Sequence, residues 1–155
     1  MMASGFFPAQ ANDTLDKNSM TLKETLNKTD RFALNNGIQL TEVGEGYARA
    51  EMTVEERHLN GGNVCQGGAL FTLADLTFAA AANSHGRLCL GINNQIHYVK
   101  SALLGDHLVA ECREMSSRKI HLLEARVTNQ NGDLIALMTG ECFMKDVIFE
   151  FDGLM

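Results

Sequence analysis

The sequence predicts an α+β fold in which one antiparallel sheet curls around one central helix. Residues 69–83 are apolar on nearly every face, and segments of apolar–polar alternation flank them on both sides. A helix apolar all round must be buried all round, yet this one is too short to span a membrane. Alternation at period two is the pattern of half-buried strands, and the turn residues between these segments suit hairpins.

Residues 1–19 are small and polar, carry the only proline (Pro8) and show no period; they read as a mobile leader. One domain is expected over 20–145, with a tail over 146–155. Thr21-x-x-Glu24 is a capping-box pattern that opens a first helix, and Asn36-Gly37 is its stop. Leu22, Leu26 and Ala33 give that helix an apolar stripe, with Phe32 beside it.

Ile38 and Leu40 suggest an early strand, and Gly44-Glu45-Gly46 is turn chemistry. From Tyr47 to Val54 the even positions Ala48, Ala50, Met52 and Val54 are apolar, while Arg49, Glu51 and Thr53 are polar. That is a strand with one face inward. After the helix, Leu88, Leu90, Ile92, Ile96 and Tyr98 alternate with polar or small residues, as do Leu108, Ala110 and Cys112. Ile120-Leu122 and Leu134-Ala136-Met138 open two further runs. Gly105-Asp106, Ser116-Ser117 and Asn131-Gly132 separate them. A four-stranded meander is therefore expected after the buried helix.

A chain of 155 residues suits a single domain that buries roughly 68–70% of its unfolded surface. Its net charge of −6 argues against nucleic acid or an anionic membrane as partner. Small molecules and other proteins remain. The segment 1–11 lacks the basic start and apolar length of a signal peptide, so the cytoplasm is expected. Cys65, Cys89, Cys112 and Cys142 are scattered without metal-ligand spacing; they read as small buried hydrophobes, and no metal is expected.

The richest constellation is Asn60, Gly67-Gly68 and Asp75. Glycines at a helix start leave N–H donors unpaired at the positive end of the macrodipole, suited to an anion or a developing oxyanion. An ordinary glycine-rich cap is the bland alternative. Asp75 lies on an otherwise apolar helix with no basic residue in reach along it, so its carboxylate needs solvent, a partner or a site. Counting from Gly67, it lies about two turns on, close enough for both to border one cleft. An exposed helix edge would also accommodate it. The five histidines form no cluster, and His58 is the one nearest the loop. No G-x-S-x-G or P-loop motif is present. Arg118 and Lys119 stand at a hairpin tip, as solvated surface or as a phosphate contact.

The segment H-L-N-G-G-N-V-C-Q-G-G-A-L-F-T-L-A-D, followed by A-A-A-A-N-S-H-G, resembles hotdog-fold acyl-CoA thioesterases of the phenylacetate-degradation (PaaI) type. The family's pattern is N-G, then H-G-G, then L-x-D on the buried helix, and the similarity spans about residues 21–145. The resemblance implies a thioester site shared between subunits of a homodimer or homotetramer, with acyl-CoA as substrate and no separate cofactor. It implies Asp75 as nucleophile or general base, the Gly67 N–H as oxyanion donor and Asn60 as a positioning group. Gly68, Gln66, Asn93 and Asn94 would contact substrate, and Arg118 and Lys119 would lie near the nucleotide of coenzyme A. Two positions depart from the pattern. Gln66 stands where the family has His, and Gly91 stands where some relatives have a water-holding Ser or Thr, with Asn93 and Asn94 following. A hotdog dehydratase would need a His-centred site that this loop does not offer. An acyl-CoA-binding protein without turnover is the non-enzyme alternative.

Overall fold

The computed structural model describes residues 20–148. Thr21 caps helix α1 (Leu22–Thr29) through the expected capping box: its hydroxyl accepts from the Glu24 N–H, and Glu24 reaches back to the Thr21 N–H. The single helix expected up to Asn36 is instead two. Asp30 ends α1 and begins α2 (Arg31–Asn35), its carboxylate accepting from the Ala33 N–H at 3.0 Å. A short acidic side chain competes for backbone donors in this way and favours a cap over a helix interior. Gly37, at φ +66°, makes the left-handed stop.

Strands β1 (Gln39–Gly44) and β2 (Tyr47–Thr53) form a hairpin, and β2 buries Ala48, Ala50 and Met52 as its alternation requires. A 3₁₀ turn (Glu56–His58) and the glycine-rich loop lead into α3 (Gly67–Asn83). Then follow β3 (Arg87–Tyr98), β4 (His107–Ser116), β5 (Ile120–Thr128) and β6 (Leu134–Ile148). β6 continues past residue 145, the expected end of the domain, because Ile148 still pairs with Arg87. The leader expected over 1–19 lies outside the described residues.

All six strands form one antiparallel sheet in the order β1-β2-β4-β5-β6-β3, and α3 packs against every one of them. The meander therefore has three strands, β4-β5-β6. The buried helix carries the chain across the sheet, so β3 enters at the far edge and pairs with β6. The core is the space between: Leu70, Leu73, Leu76 and Phe78 of α3 against Met52, Leu108, Leu123, Val127 and Met138. This is the hotdog arrangement.

Two features of the edges shape the site. On β1, the Asn27 carboxamide donates to the Leu40 carbonyl and accepts from the Leu40 N–H, both at 2.8 Å. A side chain thus occupies part of that edge, a common way of blunting it. On β3, no strand among the described residues pairs with the outer edge. β3 also departs from simple alternation. A bulge between Gly91 and Asn93 inserts one residue and reverses the facing of what precedes it. Cys89 is buried, whereas Leu90 and Ile92, expected inside, are 44% and 56% exposed. The same bulge turns Asn94 toward α3.

Candidate active site

The helix start is built by Gln66, whose backbone is extended (φ −64°, ψ 136°) and whose Oε1 accepts from the Gly68 N–H. The Gly68 donor expected to be open is therefore capped. Glutamine reaches over Gly68 because no Cβ intervenes; one built there would lie 3.1 Å from Oε1. The Gly67 N–H has no acceptor among the described residues. It stands at the positive end of a 17-residue helix, where an oxygen bearing partial negative charge is stabilised.

Gly67 borders a cleft of about 400 Å³ with Asn60, Leu70, Tyr98, Lys100 and Ser101 among its walls. Tyr98 is the wall that sequence reasoning missed. Its hydroxyl donates to the Gly67 carbonyl at 3.1 Å, and a Cβ at Gly67 would meet its ring at 2.9 Å. Glycine is needed there for the ring to lie so close. Asn60 folds the loop: its Oδ1 accepts from the Gly62 N–H at 2.8 Å, and its own N–H donates to the Val64 carbonyl. His58 is a buried strut. Its Nδ1 accepts from the Glu55 N–H, and its Nε2 donates to the Asn36 carbonyl.

Asp75 is half-buried and makes one hydrogen bond among the described residues, accepting from Asn94 Nδ2 at 3.0 Å. No cation pairs with it among the described residues. Burial pushes its pKa above the ordinary 3.8; the Asp30 carboxylate pushes the same way, and Asn94 opposes them. Asn94, and Gly140 which makes room for it, thus support the Asp75 carboxylate, while Asp30 opposes its ionisation. A Cβ on Gly140 would strike Asn94 Oδ1 and lie 2.7 Å from Phe78, so only glycine lets Asn94 reach the helix. Asn93, in the bulge, is exposed.

Asp75 does not line the Gly67 cleft, contrary to the sequence expectation. The eight residue steps from Gly67 to Asp75 put their Cα atoms about 12 Å apart along the axis and about 80° apart around it. Arg118 and Lys119 are farther still. Their hairpin sits beside Phe143 and Met144, where Lys119 lies 5.4 Å from the Phe143 ring and its carbonyl accepts from the Met144 N–H. Met144 pairs with Cys89, and Cys89 bonds Asn83 at the opposite end of α3. One chain brings together Asn60 with Gly67, and Asp75 with Asn94, but not these two groups with the hairpin.

Residues 58–136 match the Thioesterase superfamily. The chain belongs to that family. A relative in Archaeoglobus fulgidus, described provisionally as an esterase, is 42% identical over 79% of this chain and 80% of its own. The acyl-coenzyme A thioesterase PaaI of Escherichia coli is 32% identical over 74% of this chain and 82% of its own. The structure of the E. coli PaaI protein from the phenylacetic acid degradation operon superposes with a TM-score of 0.76 at 28% identity, covering 83% of this chain and 99% of that one. The structure of smu.793 from Streptococcus mutans, bound to acetyl CoA, gives 0.68 at 26% identity over 72% of this chain and 90% of that one. Among the described residues no helix is long and apolar enough to cross a membrane.

Exchanging Gln66 for the family's His tests the departure in the loop. Gln66→His is expected to retain or raise thioesterase activity, since an imidazole nitrogen can still accept from the Gly68 N–H. Gln66→Ala removes the cap and is expected to cost about 0.5–2 kcal/mol of stability. A fall in kcat/KM beyond about tenfold in Gln66→His, equivalent to about 1.4 kcal/mol, would show that the amide itself acts in the reaction.

Proposed function

We propose that this thioester hydrolase cleaves the acyl-CoA of a small aryl or medium-chain acid to the free acid and coenzyme A, in the cytoplasm. The reading rests on one observation: a half-buried carboxylate, held by Asn94 and with no cation beside it among the described residues, on an apolar helix whose first residue borders a cleft. The Gly67 N–H donates to the thioester carbonyl and holds the negative charge that develops on its oxygen. Asp75 attacks the carbonyl carbon or takes a proton from the attacking water, and coenzyme A leaves as the thiol. Asn94 fixes the carboxylate that does this, and Asn60 shapes the loop on the acyl side. The E. coli acyl-coenzyme A thioesterase and the acetyl CoA-bound S. mutans protein support the choice of substrate class.

The distances favour a site assembled from two subunits. An oxyanion donor works at about 2.7–3.1 Å from the carbonyl oxygen, and an attacking atom at about 3–3.5 Å from the carbon. Donor and base on one carbonyl must therefore lie well within the roughly 12 Å that separates Gly67 from Asp75 on one helix. The site takes Gly67 from one subunit and Asp75 of the partner subunit. The unpaired edge of β3 supplies the contact, through a two-fold pairing of the two β3 strands. A dimer, or a tetramer built from it, is the active species. An active monomer in light scattering at assay concentration would refute the shared site.

Thiol release from a panel of aryl- and alkyl-CoA thioesters tests the reaction. Turnover is expected on at least one of them; tight binding of all with turnover of none would leave an acyl-CoA-binding protein. The hairpin lies at the C-terminal end of α3, so an antiparallel two-fold pairing of the β3 strands would carry it toward the N-terminal end of the other subunit's α3. Arg118→Gln with Lys119→Gln is then expected to raise KM for CoA substrates at low salt with little change in kcat, because contacts to phosphate are made equally in ground and transition states. The rise should shrink at high salt. An unchanged KM at low salt would make these residues plain solvated surface.

A further inference from the structure

Beyond the thioester site, at the end of α3 farthest from Gly67, three side chains that lie far apart in sequence converge. Cys142 on β6 faces His121 directly across on β5, and Cys89 on β3 lies diagonally beside Cys142. One ring nitrogen of His121 and the two sulfurs lie within 4.8 Å of one another, and all three residues are buried. His121 is only 1% exposed, and its Nε2 has no hydrogen-bond partner among the described residues. Its other nitrogen, Nδ1, bonds Glu114 Oε1. The second oxygen of Glu114 accepts from His85 Nε2 at 2.8 Å.

This is the arrangement of a metal-binding histidine and its support. A carboxylate on Nδ1 holds the proton there, which leaves the Nε2 lone pair available and fixes the ring's orientation. Two sulfurs and one imidazole form a soft donor set. The packing alternative leaves a buried lone pair without a donor, an uncommon outcome in a folded core. We propose that Cys89, Cys142 and His121 bind one soft d¹⁰ cation, Zn²⁺ or Cu⁺, at a site separate from the thioesterase centre. On binding, each thiol gives its proton to solvent and a metal–sulfur bond replaces the S–H bond. The cation's charge offsets the cost of burying the two thiolates. Three protein ligands in a dry pocket suit the low coordination of Cu⁺, whereas two thiolates match the charge of Zn²⁺.

The test uses the full-length chain, purified under reducing conditions from cultures supplemented with zinc or with copper, then washed with a mild chelator. Metal per chain is measured by mass spectrometry, and thermal midpoints are compared before and after loading. One ion per chain is expected in at least one arm, with a raised midpoint, and the arm that retains metal identifies the ion. Cys89→Ala and Cys142→Ala should each cut retention by at least about tenfold, and Glu114→Gln should weaken affinity by about 10–100-fold while leaving the ligands in place. Cys112→Ala removes a buried thiol outside the cluster and should change nothing in retention. Failure of the wild-type chain to retain either ion, or retention that survives Cys142→Ala, overturns the proposal.

Discussion

Asp75→Asn is expected to lower kcat by about 10²–10⁴-fold on the best thioester while leaving KM nearly unchanged. Asparagine keeps the shape of the side chain and can still accept from Asn94, but it neither takes a proton nor attacks a carbonyl. The Gly67 donor survives, so a residual rate should remain. The same substitution should stabilise the fold at neutral pH, which separates it from ordinary damage to a core. Asp75's pKa is raised in the folded chain by burial and by the Asp30 charge. Between its ordinary value of 3.8 and that raised value, the native state binds more protons than the unfolded state. Stability contributed by Asp75 therefore falls as pH rises through this window, and above it the native chain carries the full cost of a buried charge. Asparagine removes both the cost and the slope. Thermal melts of the two proteins across pH check this, and the acid limb of the wild-type kcat/KM profile should lie above the ordinary carboxylate range. Trapping an acyl-enzyme in a single turnover would identify direct attack by the carboxylate. A variant with near-wild-type kcat would reduce Asp75 to a structural carboxylate.

What could be read from the residues alone follows the range of the interactions involved. The period-two runs gave the faces of β2 and β4 correctly, since each depends only on neighbours in sequence. On β5 they did not: Ile120 and Leu122, expected inside, are exposed, and His121, Leu123, Ala125 and Val127 form the buried face. The all-apolar stretch located α3, and Asp75 stood out because a carboxylate on such a helix conflicts with its surroundings. The β3 bulge stayed hidden: one inserted residue between Gly91 and Asn93 leaves the sequence still looking alternating, while Leu90 and Ile92 turn outward. The place of β3 beside β6 depends on a long-range pairing that no local period encodes. Gln66 was missed as a cap because glutamine is not among the usual capping residues, and it works here only because Gly68 lets it fold back. The surroundings of Asp75 come from the cap of α2, from β3 and from β6, and the Cys89–His121–Cys142 cluster from three strands. Neither has a spacing to recognise. Two of the five histidines, scattered in sequence, do meet in the fold: the His85 and His121 rings lie 5.8 Å apart around Glu114.

Gly67→Pro is expected to lower kcat/KM by about 10²–10³-fold, the cost of removing one oxyanion donor. The position tolerates proline better than most. It is the first residue of α3, where proline's missing N–H breaks no helical bond. The preceding Gln66 already has the extended backbone that a residue before proline prefers. The added Cβ would meet Tyr98 at 2.9 Å, but that ring tip is half exposed and can swing away. Gly67→Ala introduces the same Cβ and keeps the N–H, so the difference between the two variants isolates the donor. Combining Gly67→Pro with Asp75→Asn then shows which chains build the site. Co-expression of the two single variants with different tags, followed by selection for both tags, yields dimers carrying one copy of each. If each site takes Gly67 from one subunit and Asp75 from the other, one of the two sites in every mixed dimer is intact. Roughly half of wild-type activity should return, although each parent is nearly dead. If both groups came from one chain, every site would carry a lesion and the mixed dimer would stay inactive. That second result would refute the shared site while leaving the assignments of Gly67 and Asp75 to be judged on their single variants.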